Sequence, residues 1–177
     1  MKNANPVSLL WRGGWLVLLL LLAGCDETAK TPPAAPKTAA DFFAIRVGAK
    51  TVRMQLAVLP AEMEHGLMDR RDLGEDDGML FVYTRPQRMS YWMHNTPTPL
   101  DIGFFDSGGM LEEIYAMQPF DERSVTSRST LLTFALEMNQ GWYRKNGVKP
   151  GAQLDLKALA AALSERGFEP AKFGLGE

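Results

Sequence analysis

The chain of 177 residues holds a single cysteine, Cys25. With no second one it can form no intrachain disulfide, so a hydrophobic core has to stabilise it. Histidine is almost as scarce: His65 and His94 are the only two, and no short ligand spacing of the kind that builds a zinc site links them. Positive charge is not in excess. The 19 Lys and Arg stand against 21 Asp and Glu, for a net charge of −2. Nothing in that balance resembles the concentrated basic face of a nucleic-acid binder, so no nucleic-acid partner is expected. Glycine-rich phosphate loops are absent, and no serine sits in a nucleophile-elbow pattern. No cofactor is therefore expected. Long apolar runs are missing as well. A membrane-spanning helix needs about 20 apolar residues, and the longest run after Arg12, centred on Leu16 to Leu22, is shorter than that.

That short run has another use. Lys2 and Arg12 supply positive charge ahead of it, and Ala23 and Gly24 supply small residues after it. These are the three parts of an export signal. The closing tetrapeptide Leu22-Ala23-Gly24-Cys25 looks like the lipobox of bacterial lipoproteins, in which the thiol takes a diacylglyceryl group and the chain is cut before it. An odd cysteine in an exported protein needs an explanation, and a thioether to lipid supplies one. At least two acyl chains would hold such a protein stably on a bilayer. The expected location is the cell envelope, facing the periplasm. Asp26, by resemblance to enterobacterial lipoproteins, slightly favours the inner membrane.

The chain then divides into a signal peptide (1–24), a tether (25–40), a domain (41–168) and a short tail (169–177). The tether is rich in Pro, Ala and Thr and has no large apolar side chain. It cannot bury enough surface to offset its ordering entropy, and its prolines make it a semi-stiff spacer. Within the domain, Phe43 to Val47 and Val52 to Val58 alternate apolar and polar residues around Gly48-Ala49-Lys50, the pattern of an antiparallel hairpin. Pro60 opens a short helix over Ala61 to Met68. Further strands are expected at Met79 to Tyr83, Met89 to Met93, Leu100 to Phe105, Met110 to Met117, Leu131 to Met138 and Ala152 to Leu156. A helical turn is expected within Asn139 to Lys145, and a helix over Lys157 to Arg166 stopped by Gly167. Many short strands with Gly and Asn turns predict a mainly β domain, a small antiparallel barrel or sandwich with one to three short helices.

Four segments carry a family resemblance in order: His65-Gly66-Leu67-Met68-Asp69-Arg70, Gly78-Met79-Leu80-Phe81-Val82, Tyr91-Trp92-Met93-His94-Asn95-Thr96 and Leu100-Asp101-Ile102-Gly103-Phe104. Glu137 with Gly141, then Gly147 and Gly151, follow at suitable distances. Over roughly Arg46 to Leu156 the chain resembles the DUF192 family (domain of unknown function 192), whose members are often exported or lipid-anchored. The resemblance implies a small, mainly β fold and no established reaction or ligand. His94 departs from the family pattern, where Lys is common, and Ser127 to Thr130 lacks a proline usual there.

The candidate ligand-contacting residues are Arg70, Trp92, His94, Asn95, Thr96, Asp101 and Glu137. In an extended segment Trp92 and His94 share a face, and Pro97 and Pro99 stop the strand near Thr96. Asn95 and Thr96 suit a turn that binds neighbouring backbone groups. Asp101, in an apolar strand, needs a partner if buried; Arg70, Arg88 or the Asn95 and Thr96 N–H groups are the expected ones. Glu137 alternates against Leu136 and Met138 and reads as solvated. Met89 and Met93 beside His94 suit Cu(I), although core filling explains the methionines better. Three functions stay open at this point: a binding module for a small ligand or an envelope protein, an envelope hydrolase using Asp101 and Glu137 as an acid/base pair, and a metal-handling protein.

Overall fold

A computed structural model describes residues 35–176. The signal peptide, Cys25 and most of the tether lie outside the described residues. The predicted hairpin is present as β1 (Phe43–Val47) and β2 (Lys50–Ala57), paired antiparallel from Phe43 against Met54 to Val47 against Lys50. Gly48 takes the positive φ of 58° that the first position of so short a turn requires. Pro60 opens α1 (Pro60–His65), whose Glu62 accepts the Val58 and Leu59 N–H groups that the helix start leaves free. Next come β3 (Asp77–Gln87), β4 (Ser90–Tyr91), β5 (Leu100–Asp106), β6 (Leu111–Met117), β7 (Val125–Thr126) and β8 (Leu132–Asn139). They are followed by α2 (Trp142–Lys145) and α3 (Leu156–Glu165). Asp155 caps α3 by accepting the Ala158 N–H, and Gly167 ends the chain reversal beyond it at φ 81°.

The fold is mainly β, with one six-stranded sheet in the order β1-β2-β3-β8-β5-β6 and a two-stranded β4-β7 pair. Two features of the expectation need correction. The sheet is mixed, because β2 and β3 run parallel. Parallel neighbours need a crossover, and α1 with the loop over 66–76 supplies it; alternation within a strand does not encode which partner it meets. Nor does the sheet close into a barrel. The expected strand Ala152–Leu156 is reduced to two bridges, Val47 with Leu154 and Met110 with Gln153. Through them residues 152–155 tie β1 to the start of β6 at one end of the sheet. The expected strand at Met89–Met93 likewise shrinks to the two residues of β4.

β3, β8 and β5 lie in the middle of the sheet and are buried on both faces, which explains their near-continuous apolar runs. The register sorts the side chains. Leu80, Leu136 and Met138 face one core, shared with β1, α2 and α3; Met79, Phe81, Ala135, Ile102 and Phe104 face the other, shared with Leu67, Met89, Tyr91 and Met93. Each fully buried Leu or Phe contributes about 2–3 kcal/mol by leaving water. Gly103 leaves room for the Tyr143 hydroxyl to cross the strand and donate to the Leu136 carbonyl at 2.8 Å; a Cβ there would meet that hydroxyl at 2.5 Å. Residues 169–176, set apart in sequence as a tail, include a 3-10 turn (Pro170–Phe173) that buries Phe173 in the first core. Among the described residues no helix is long and apolar enough to cross a membrane.

Candidate functional site

Glu137 lies on β8 between Met79 of β3 and Ile102 of β5. Strands flank it on both sides and the second core covers its face, so it is 5% exposed rather than solvated as its alternation suggested. Burial alone acts on its carboxyl and pushes its pKa up to about 8. Among the described residues no hydrogen bond and no cation holds the ionised form. Glu137 is therefore a protonated acid at neutral pH.

It forms part of the wall of a cavity of about 140 Å³. α1 and the turn after it contribute Met63, His65 and Met68; β3 contributes Phe81 and Tyr83; the segment after β3 contributes Tyr91, Trp92 and Thr96. The Tyr83 and Tyr91 hydroxyls lie 3.0 Å apart and share a hydrogen bond. Burial raises both phenols above their ordinary range, and proximity to Glu137 adds to the shift. The Phe81 ring meets Tyr91 edge-on at 5.0 Å. Trp92 stays 50% exposed and stacks on His94 at 4.9 Å.

The loops at this rim share an unusual backbone. Among the described residues three non-glycine positions have positive φ: Asp69 (60°), Asn95 (48°) and Phe120 (59°). All three meet here. The Asp69 N–H donates to the Asn95 carbonyl at 2.8 Å, and the Phe120 N–H donates to the Thr96 carbonyl at 3.1 Å. Asp and Asn tolerate this region; a Phe in it is an outlier. Backbone strain of this kind clusters at functional sites, and here it holds a Phe ring 58% exposed beside the corner that carries Thr96.

The seven residues singled out in sequence do not converge. Trp92, Thr96 and Glu137 line the cavity. Asn95 makes the corner, and Thr96 fixes it by donating its hydroxyl to the His94 carbonyl at 2.9 Å. His94 sits outside, its Nδ1 2.6 Å from the Glu122 carboxylate. Arg70 turns away toward Gln55 (3.0 Å) and Asp72 (2.7 Å). It lines a larger hollow of about 380 Å³ on the other side of α1, where Glu62 and Arg70 are both already paired. Asp101 is the plainest correction. It pairs with Met138 across β5 and β8, so it points to the face opposite Glu137. Its partner is the Gly141 N–H at 2.8 Å, not an arginine or the Asn95–Thr96 corner. Burial outweighs that hydrogen bond and raises its pKa. A paired acid/base mechanism using Asp101 and Glu137 is ruled out by this geometry. Among the described residues no group of three or more His, Asp or Glu is placed to hold a metal, and Met89 and Met93 are core residues.

Sequence reasoning passed over Tyr83 and Tyr91, whose signal was a phenol inside each of two otherwise apolar segments. It also passed over Phe120, which local sequence does not mark.

The cavity is built from the segments that carry the family resemblance: His65 to Met68, Phe81, Tyr91 to Thr96 and Glu137. Residues 43–156 match the DUF192 family, described as an uncharacterised ACR. The chain belongs to the DUF192 family. Two solved structures agree. One is a protein described as a candidate transcription regulator from Sinorhizobium meliloti 1021, 33% identical, covering 67% of this chain and 96% of its own, with a TM-score of 0.63. The other is a protein of unknown function from Novosphingobium aromaticivorans DSM 12444, 31% identical, covering 70% and 94%, with a TM-score of 0.62. Comparison with curated proteins gives no match. The DUF192 match spans β1 to the first residue of α3, so the sheet, the cavity and its rim all fall within it.

Proposed function

We propose that this DUF192 domain is a binding module, held on the periplasmic side of the cell envelope by lipid on Cys25, whose cavity takes a small ligand or a protruding group of an envelope partner. One observation carries the binding reading: a buried carboxyl without a partner forms part of an open, aromatic-lined cavity. Glu137 reaches solvent only through the cavity and has no protein partner there among the described residues. Holding a carboxyl so nearly dry costs stability, and such a cost at a site ringed by strained loops is the mark of a site kept for a partner. The exposed Trp92 offers that partner a flat apolar face at the rim. The net charge of −2 offers no excess of the positive charge that would favour a nucleic-acid role of the kind suggested by the Sinorhizobium relative's description.

A fragment screen read by NMR on the purified protein tests the binding reading. Small fragments are expected to shift the resonances of Tyr91 and Trp92, and W92A is expected to weaken the best of them about tenfold, which is about 1.4 kcal/mol. A library in which no fragment of any charge moves those resonances would remove the cavity from consideration. The anchor is supported by the Leu22-Ala23-Gly24-Cys25 sequence and by the lone thiol. Cys25→Ser is expected to shift the protein from the membrane pellet to the soluble fraction or to leave an unprocessed precursor. Unchanged pelleting with unchanged processing would exclude a lipid anchor.

A further inference from the structure

Resting on the reading of this cavity as a ligand site, we propose that it takes a primary ammonium group, balanced by the Glu137 carboxylate and hydrogen-bonded to it and to the Tyr83–Tyr91 hydroxyl pair. The charge of the lining decides the class. Two carboxyl residues, Glu64 and Glu137, line the cavity, and no Lys or Arg does. An anion entering it would meet these two carboxyls and no Lys or Arg, His65 being the one residue of the lining able to carry positive charge. A neutral ligand brings no counter-charge and can meet the acid only in its protonated form. A cation completes an ion pair with Glu137, the buried acid of the lining, which has none among the described residues. The walls suit the same guest, because aromatic faces attract cations electrostatically, and Phe81, Tyr83, Tyr91 and Trp92 supply four such side chains.

Hydrogen bonding narrows the class from any cation to one that donates. One of the two phenol protons lies between oxygens 3.0 Å apart, and lone pairs remain on both oxygens to accept N–H bonds. Volume narrows it further. About 140 Å³ is below the roughly 300–1,000 Å³ of sites for drug-sized molecules. It fits the end of an alkylammonium chain, whether a free amine or a lysine side chain.

Binding is then coupled to proton release. In the free protein a proton neutralises Glu137 until about pH 8; the ammonium displaces it into solvent. The neighbours that could obscure this are Glu64 and His65 from α1, Tyr83 from β3 and Tyr91 from β4; the β5 neighbour across the ladder, Ile102, does not titrate. Affinity should follow the ionised fraction of Glu137 and rise about 50-fold between pH 6 and pH 8.

The test is calorimetry on the full-length protein in detergent, with n-butylammonium, Nα-acetyl-lysine amide, n-butanol and butyrate as probes at pH 6 and pH 8. Primary ammonium probes stay charged over this range. Butylammonium is expected to bind with release of about one proton at pH 6 and about half a proton at pH 8, and with the stated rise in affinity. E137Q is expected to lose at least tenfold of that affinity while remaining folded, and H65Q to keep the pH profile. Binding of acetyl-lysine amide with the same profile supports a lysine side chain as the guest; binding of butylammonium alone supports a free amine. Butanol or butyrate binding as tightly as butylammonium overturns the ammonium assignment and leaves the binding module standing. Ammonium affinity that is flat with pH, without proton release, overturns it too. If no probe binds and the fragment screen is also blank, both readings fail together.

Discussion

Glu137→Gln is expected to stabilise the domain at pH 8 by several kcal/mol and to change little below about pH 4.5. In the unfolded chain the carboxyl titrates near its ordinary value of 4.5, whereas burial holds its proton in the fold up to about 8. Between those values the native state carries more protons than the unfolded one, so stability falls as pH rises, by about 1.4 kcal/mol per pH unit. The loss begins near pH 4.5 and is complete above pH 8, with a ceiling of about 5 kcal/mol. Gln carries no titrating proton and removes this dependence. Other carboxylates run the opposite way. Arg123 beside Asp121 holds that carboxyl down at about 2, and the Ala158 N–H, ahead of Arg46, lowers Asp155. What they contribute is lost as pH falls, so the wild-type domain should be most stable near pH 5. Denaturant unfolding of both proteins at pH 5 and pH 8 checks this. The variant should melt about 10 °C higher at pH 8, and a wild-type-to-variant difference that does not change with pH would show that Glu137 is ionised in the fold.

Arg166→Met is expected to destabilise the domain by about 3–5 kcal/mol. Arg166 follows α3, and its side chain is 4% exposed. One guanidinium nitrogen donates to the Leu56 carbonyl of β2 and another to Glu62 of α1, each at 2.5 Å. Glu62 in turn accepts the N–H groups of Val58 and Leu59 at 2.9 and 3.0 Å. One side chain thereby fastens α3, β2 and α1 together. Removing it leaves a buried carbonyl without a donor and a half-buried carboxylate without a cation, which is the costly way to break an ion pair. Because α1 forms one wall of the Glu137 cavity, the same change should also weaken ligand binding. The double variant R166M/E62Q should lose clearly less than the sum of the two single losses, since the orphaned charge is gone. A single-variant loss under about 1 kcal/mol would show that the clamp is not what holds α1.

The sequence patterns that proved readable were local ones. The β1–β2 hairpin followed from strict alternation around Gly48, α1 from Pro60, and the end of α3 from Gly167. The parallel partner of β2 was not readable, because pairing depends on where the crossover sets the chain down. Glu137 was misread for a related reason. Alternation places it opposite Leu136 and Met138, and in an ordinary half-buried strand that position is wet. It is dry here because β8 lies in the middle of a sheet covered on both faces. Asp101 was read correctly in kind, as a carboxylate that must be satisfied, but its donor is a backbone N–H from Gly141, forty positions along the chain. The Trp92-to-Thr96 corner was legible in its turn chemistry; that Trp92 is exposed there and that the corner roofs a cavity holding a buried acid required the fold.

The protonation of Glu137 can be measured directly. The side-chain carboxyl ¹³C resonance of glutamate-labelled protein, assigned by its disappearance in E137Q, should titrate with a midpoint near 8. A midpoint near 4.5 would mean a solvated or paired carboxylate, and with it the acid in the cavity, the pH-dependent stability and the exchange of its proton for an ammonium ion would all be contradicted.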